Sequence, residues 1–498
     1  MAVQPNTAPE AGSPQMAEAS RLEQAAAIKA DANAAFKDKH YAVAQQLYSK
    51  ALEADPTSAV LWGNRAFAAI RLEEFGGAIA DASKALELDP KYAKGFYRRG
   101  DASYALGHFK DAVRDFRAAI RLAPGDPDLR RKLAEAEREV KKEAFERALA
   151  VPDEPPVSDE IVLEEITVDS SYQGPRMEAG ESGQLQVSLE FVQGMLAAFK
   201  EEQLIHRRYA FEIILQAQAI LKSLPSLVDI HVPPGGELTV CGDTHGQFFD
   251  LLRIFDLNGL PSPSNPYLFN GDFVDRGSWS VEIILTLLAF KCLYPAHFHL
   301  TRGNHEAKSM NTIYGFVGEV KAKYSSQMAD VFRETFCWLP LGYVINHKVL
   351  VVHGGPPVAC NATLDEVRQL DRNREPPEAG PMCEMLWNDP QEAAGMTPNK
   401  RGVGVAFGPD VAKAWLEGQG LQMVVRSHEV KDEGYEVAHD GYTITIFSAP
   451  NYCDQMGNKG AFIRFDSDCS PSFTQFSAAP HPNKRPMAYA SGAFANMG

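Results

Sequence analysis

The chain is short of cysteine, with seven residues at 241, 292, 337, 360, 383, 453 and 469 among 498. The number is odd and no CxxC pair occurs, which fits reduced structural thiols better than a disulfide framework or a thiolate zinc ribbon. None of these thiols is followed six residues later by arginine, so a Cys-x5-Arg nucleophile loop is excluded. Basic charge is also lacking: 49 Lys and Arg stand against 65 Asp and Glu, a net charge of −16. Phosphate backbones are gripped by basic stripes, so nucleic acid is not an expected ligand. No apolar run approaches the roughly 20 residues that a membrane span requires. The first twenty residues carry no apolar segment after Met1, so no secretory signal is expected. Reduced thiols and an acidic surface fit a chain of the cytoplasm or nucleus.

What is present begins with a repeat. Pro56, Pro90 and Pro124 are spaced 34 and 34 residues apart, as are Ala44, Ala78 and Ala112, and Ala51, Ala85 and Ala119. Ala32, Ala66 and Gly100 add a fourth column. Small residues at fixed offsets let paired helices approach closely, and each proline stops the second helix of its unit. The stretch from about 24 to 124 resembles tetratricopeptide repeats. Pro127 to Ala150 has helical periodicity and many charges, as a solvated capping helix would.

Composition divides the chain into an N-terminal tail over 1–23, three repeats with their cap over 24–150, a linker over 151–183 and a second domain over 184–498. The tail is expected to be disordered, being rich in Ala, Pro, Ser and Glu. The linker holds nine acidic residues, one arginine and several Pro and Gly, so it reads as a solvated spacer whose later part lies against the next domain. The second domain alternates helical text with short apolar runs such as ELTVC, YLFN, HFHLT, KVLVVH, MVVRSH and YTITIFS. The expected fold is therefore an all-α repeat solenoid joined to an α/β domain with a β-sandwich flanked by helices.

Each apolar run ends in polar residues of one kind. ELTVC leads to Asp243 and His245, YLFN to Asp272, Asp275 and Arg276, and HFHLT to Asn304, His305 and Glu306. KVLVV leads to His353, and MVV to Arg426 and His428. Loops at strand ends are where a rigid sheet can bring distant residues to one point. Oxygen and imidazole donors without thiolate suit Mn, Fe, Zn or Mg, and a carboxylate can bridge two cations for hydrolysis.

The order GDTHG…GDFVDRG…GNHE…HGG resembles the metal-dependent phosphoprotein phosphatase family. The stretches Arg401–Gly404 and Ser448–Asp454 point to its serine/threonine branch and away from phosphodiesterases and nucleases sharing the metal skeleton. The resemblance implies two divalent ions, Mn2+ foremost, with Fe, Zn or Mg as alternatives. One would rest on Asp243, His245 and Asp272, the other on Asp272, Asn304, His353 and His428. It implies direct attack on phosphoserine or phosphothreonine by hydroxide held between the ions. His305 would act as general acid with Asp275 orienting it, and Arg276, Asn304, Arg401 and Tyr452 would contact phosphate. The one departure is Pro356-Pro357 after the glycine pair, where the family usually continues with Leu.

For the repeats, the resemblance implies a carboxylate clamp of Lys29, Asn33, Asn64, Lys94 and Arg98. Its partner would be the C-terminal peptide of the 90-kDa heat-shock chaperone. It also implies autoinhibition in which Glu73 opposes substrate phosphate. Phosphoproteins are the implied substrates and a monomer the expected state. Arg302 and Arg426, beside ligands, are expected to be supporting ion-pair partners.

Overall fold

The computed structural model describes residues 14–149, 155–180 and 183–490. They form two compact units, one holding 14–149 with Lys400–Gly402 grouped to it, the other built on 155–399 and 403–490.

The first unit is helical throughout. Helices α1 (Pro14–Lys37) and α2 (Tyr41–Ala54), α3 (Ala59–Arg71) and α4 (Phe75–Leu88), and α5 (Ala93–Ala105) and α6 (Phe109–Leu122) form three hairpins, and α7 (Pro127–Leu149) follows. The alanines at 44, 78, 112, 51, 85 and 119 are fully buried, so the repeating columns are the seams between paired helices. Each second helix stops two residues before its proline, because that ring cannot sit in a continuing turn. A further repeat lies in the ion pairs. Arg65 forks onto Asp81 and Arg99 onto Asp115, with contacts of 2.7–2.9 Å and the same 34-residue spacing. Of the expected tail, residues 1–13 lie outside the described residues. Residues 14–23, expected to be disordered, instead open α1, their alanines and glutamates being good helix formers.

The expected spacer also differs. Val157, Ile161, Leu163, Ile166, Val168 and Tyr172 pack on the core of the second unit. Glu334 accepts from the backbone N–H groups of Val157 at 2.6 Å and Ser158 at 3.0 Å. The acidic residues between them stay solvated while their apolar neighbours anchor the segment, so 157–172 is part of the second unit. A two-residue hairpin, β1 (Glu178–Ala179) with β2 (Leu185–Gln186), ends it.

Two sheets face each other in the second unit. One has the order β13-β14-β12-β8-β7-β3, from Tyr435–Ala438, Thr443–Ile446, Met423–Arg426, Val349–Val352, Gly342–Ile345 and Leu227–Ile230. The other has the order β16-β15-β4-β5-β6, from Pro471–Phe476, Gly460–Asp466, Glu237–Cys241, Tyr267–Phe269 and Phe298–Leu300. Val240, Leu268, Tyr343, Val351, Val425 and Ile463 fill the space between them. Helices cover the outer faces, among them Arg207–Lys222 and Ser280–Leu293 on one side and Pro409–Gly418 on the other. A small sheet of β10 (Met396–Pro398), β11 (Val405–Phe407) and β9 (Asp389–Pro390) stands apart. Strands β4, β5 and β6 run parallel, as do β8, β12 and β14, so their C-terminal ends gather at one edge. There an isolated bridge between Asp243 and Phe447 joins the two sheets.

Candidate metal centre

Every predicted metal ligand leaves a strand at this edge: Asp243 and His245 after β4, Asp272 after β5, Asn304 after β6, His353 after β8 and His428 after β12. All six are buried. The loops are fixed to one another by backbone bonds, Thr244 and His245 N–H donating to Asp272 O at 3.1 and 3.0 Å, and Ser427 N–H to His353 O at 2.9 Å. A Cβ on Gly303 would stand 2.2 Å from Asp272 Oδ1, so only glycine lets these turns close. His245, Asp272, Asp275, Arg276 and His428 all have positive φ, between 39° and 70°. Such backbone costs of order 1–3 kcal/mol per residue and persists only where the surroundings impose it.

Two donor groups share Asp272. His245, Asp272 and His305 offer ligand atoms within 4.8 Å of one another, and so do Asp272, His353 and His428. Asp272 Oδ2 lies 3.4 Å from His245 Nε2 and 3.2 Å from His353 Nε2. Asp243 flanks both groups, 3.8 Å from His245 Nε2 through one oxygen and 3.8 Å from His353 Nδ1 through the other. Asn304 Oδ1 points into the second group, 2.9 Å from His353 Nε2, 3.0 Å from His428 Nδ1 and 3.1 Å from Asp272 Oδ2. An amide oxygen so close to a carboxylate oxygen and two ring nitrogens is repelled unless a cation stands among them or the amide turns its nitrogen inward. The residues therefore fit divalent ions, with no thiolate in the set.

Burial tunes the ligands. It holds the His245 and His353 imidazoles below the usual range, keeping them in the neutral form that ligates. His245 Nδ1 lies 3.0 Å from Val274 O and His353 Nδ1 2.9 Å from Asn270 O, which turns each Nε2 toward Asp272. Burial raises the Asp243 carboxyl to about 8, with the Asp272 carboxylate adding to it. Bringing a cation in reverses that cost.

His305 Nδ1 lies 2.8 Å from Asp275 Oδ2. Asp275 also accepts from Asn311 Nδ2 at 3.0 Å and Phe316 N–H at 2.9 Å. Burial raises its carboxyl to about 7 against the pull of those donors. The Arg276 guanidinium stacks 3.8 Å over the Tyr314 ring, and Met487 N–H donates to Arg276 O at 2.6 Å. Tyr452 is buried with its ring 5.2 Å from that of His245. Arg401 is half-buried on the hairpin between β10 and β11. The two flanking arginines divide: Arg426 pairs with Asp389 at 2.6 Å and Glu429 at 2.7 Å, while Arg302 mainly holds backbone carbonyls of Glu306 and Arg374.

Glu306, named in its cluster but given no role there, supports the shared ligand. Its carboxylate accepts from the N–H groups of Asp272, Phe273 and Gly303 at 2.8, 2.9 and 2.8 Å, and burial raises it to about 8. Its place beside His305 in the Gly-Asn-His-Glu cluster was the available signal. Asn311, Tyr314 and Met487 carried none, because their roles depend on where distant loops fold.

In the first unit Asn33, Asn64 and Arg98 form a chain. Asn64 Nδ2 donates to Asn33 Oδ1 and Arg98 Nη2 to Asn64 Oδ1, each at 3.4 Å. Lys29 precedes Asn33 by one turn of α1 and Lys94 precedes Arg98 by one turn of α5, which puts each pair on one helix face. Glu73 follows α3 with φ 62°, half-buried.

A sandwich whose strand ends gather paired carboxylate and imidazole groups around a shared aspartate is the centre of a metal-dependent phosphoesterase. Residues 237–432 match the calcineurin-like phosphoesterase family, 133–229 the PPP5 TPR repeat region and 93–126 the tetratricopeptide repeat. The chain is 50% identical to human serine/threonine-protein phosphatase 5 over 94% of both chains. It is 52% identical to the Arabidopsis thaliana protein of that name, over 95% of this chain and 98% of the other. A solved protein serine/threonine phosphatase from Saccharomyces cerevisiae, described as similar to human phosphatase PP5, superposes with TM-score 0.59 at 42% identity, over 61% of this chain and all of that one. The chain belongs to the serine/threonine-protein phosphatase 5 family, and its enzyme class is that of the protein serine/threonine phosphatases.

Proposed function

We propose that the chain removes phosphate from phosphoserine and phosphothreonine in proteins, with a pair of divalent ions, Mn2+ foremost, on Asp243, His245, Asp272, Asn304, His353 and His428. The observation that carries this is Asp272, one carboxylate common to two buried donor groups. Divalent ions bound there lower the pKa of water toward neutrality and neutralise charge on the phosphoryl group. The chain's own residues do the rest. Arg276 presents a guanidinium whose fork matches phosphate oxygens, held flat on Tyr314 with its backbone tied by Met487. Arg401 supplies a second, Tyr452 and Asn304 border the phosphate, and His305, steadied through Nδ1 by Asp275, hands a proton from Nε2 to the departing serine or threonine oxygen.

In the repeat unit, the linked Asn33, Asn64 and Arg98, with Lys29 and Lys94 one turn away, suit two carboxylates at a peptide end. An acidic chaperone C-terminus, that of the 90-kDa heat-shock protein, is the partner we assign. We further propose that the repeat unit restrains turnover through Glu73, that the peptide relieves it, and that the enzyme works as a monomer in the cytoplasm or nucleus. The deciding experiment is hydrolysis of a phosphoserine peptide by Mn2+-loaded protein beside its Asp272→Asn variant. The variant is expected to lose both ions and turnover. Parental turnover and ion content in it would end the reading.

A further inference from the structure

Between the metal ligands and the Arg401 hairpin lies a buried knot whose centre is Asn388. Its side chain is fully buried and reaches in two directions. Nδ2 donates to Pro356 O at 3.0 Å, three residues past the ligand His353, and Oδ1 accepts from Val405 N–H at 2.8 Å at the base of the hairpin. Gly404 has φ 72°, and a Cβ there would stand 2.8 Å from Asn388 Oδ1, so the hairpin closes onto this amide only as glycine. The other hairpin arm is tied to the same stretch: Asn399 Nδ2 donates to Trp387 O at 2.8 Å and Asp389 Oδ2 at 3.0 Å. The stretch is fastened in turn by Arg426, two residues before the ligand His428. That buried guanidinium donates to Gly354 O at 2.7 Å, Asp389 Oδ1 at 2.6 Å and Asn388 O at 3.3 Å.

The loop that carries His353 therefore meets the hairpin at the Asn388 side-chain amide, while Arg426, at the end of the strand that leads to His428, holds the backbone of the same residue and Asp389 beside it. We propose that Asn388 is a positioning residue that registers the Arg401 hairpin against the metal ligands and so sets affinity for the phosphate group. This rests on the phosphatase reading above, with Arg401 as a phosphate clamp. The pair Pro356-Pro357 gains a use here: it stiffens the turn whose carbonyl receives Asn388.

The test uses full-length, Mn2+-loaded protein, a phosphoserine peptide as substrate and inorganic phosphate as competing product. In Asn388→Ala, the bonds to Pro356 O and Val405 N–H are gone, together with a longer one to Glu384 Oε2 at 3.5 Å. KM and the inhibition constant for phosphate are expected to rise about tenfold, with kcat within about threefold of the parent and ion content unchanged. In an Arg401→Ala background, adding Asn388→Ala should leave the phosphate constant where Arg401→Ala alone put it. Additive losses, an unmoved phosphate constant, or kcat and ion content falling together would overturn the proposal. If Asn388→Ala gives no soluble protein, Asn388→Ser, whose hydroxyl can serve one of the two partners, is judged by the same readouts. A parent chain that binds ions yet leaves the phosphopeptide intact would overturn the phosphatase reading itself.

Discussion

The carboxylate of Glu306 takes a hydrogen bond from the backbone N–H of Asp272 at 2.8 Å, so the shared ligand is held by a residue that is not itself in the ligand set. The same carboxylate receives Phe273 and Gly303 N–H. Three buried donors converge on two oxygens, and one of them belongs to Asp272, whose φ is 50°. Replacing Glu306 by Gln turns an amide NH2 toward at least one of those N–H groups. Outer supports of metal ligands are worth 10–100-fold in affinity or activity. Glu306→Gln is therefore expected to lower turnover about 10–100-fold, with ion content by atomic spectroscopy falling in step. Full ion content and turnover in that variant would refute the role.

General acid help matters most where the leaving oxygen is basic. Serine alkoxide needs a proton as it departs, whereas p-nitrophenolate leaves without one. His305→Asn is expected to slow phosphoserine peptide hydrolysis by about 10²–10⁴ and p-nitrophenyl phosphate hydrolysis far less. Asp275→Asn should show the same asymmetry in weaker form, because it disturbs ring orientation through the 2.8 Å contact and leaves the imidazole in place. Equal slowing of both substrates would assign His305 to structure or ion binding.

Legibility followed the range of the forces involved. The helical hairpins were readable because a 34-residue period writes every seam alanine into the sequence. The metal ligands were readable because each cluster ends an apolar run, and a strand end fixes where its loop must be. Glu306 and Asn388 were harder: their partners are backbone groups of loops far along the chain, and a backbone N–H has no letter of its own. The stretch 157–172 misled in another way. Its acidic residues dominate its composition, while the apolar residues that decide its place are few and irregularly spaced. The paired Arg65–Asp81 and Arg99–Asp115 show that a signal can sit in plain view, since their spacing matches the period already in use.

That stretch gives a test in stability. Val157, Ile161, Leu163 and Ile166 cover the core and Glu334 holds two N–H groups of the segment. A fragment starting at residue 155 should melt several degrees above one starting at 173, since losing this apolar cover removes several kcal/mol of burial at roughly 25 cal/mol per Å2. Calorimetry of the two fragments decides it. Identical melting temperatures would return the segment to the role of spacer.

The repeat unit gives a binding test. Arg98 is buried, lies within the Asn33–Asn64 chain and sits 5.2 Å over the Phe67 ring, so its guanidinium is already desolvated and placed. Truncating such a charge partner costs about 2–5 kcal/mol. Arg98→Ala should weaken binding of an acidic chaperone C-terminal peptide at least about 30-fold by calorimetry. Lys94→Ala, more exposed, should cost less and lose its effect at high salt. Unchanged affinity in Arg98→Ala would remove the clamp.

Acid sensitivity can be traced to a histidine outside the chemistry. His299 lies in β6, buried beside the Tyr343 ring at 5.2 Å, and burial, reinforced by Lys291 and His297, lowers its imidazole to about 3. Unfolding returns it to about 6.5. Between those values the unfolded chain takes up a proton that the folded chain refuses, so stability falls as pH drops through this window and is unaffected above it. The slope is about 1.4 kcal/mol per pH unit, or about 2 kcal/mol between pH 6.5 and 5. Asp250 works in the opposite sense: burial raises its carboxyl to about 6, so the folded chain takes the proton first and gains stability as pH falls from there toward 4. A His299→Asn variant, unable to charge, keeps the Asp250 contribution and loses the other. Its urea midpoint should therefore fall much less than that of the parent between pH 7 and pH 5, even if the parent is the more stable at pH 7. Parallel declines would place the acid-labile group elsewhere.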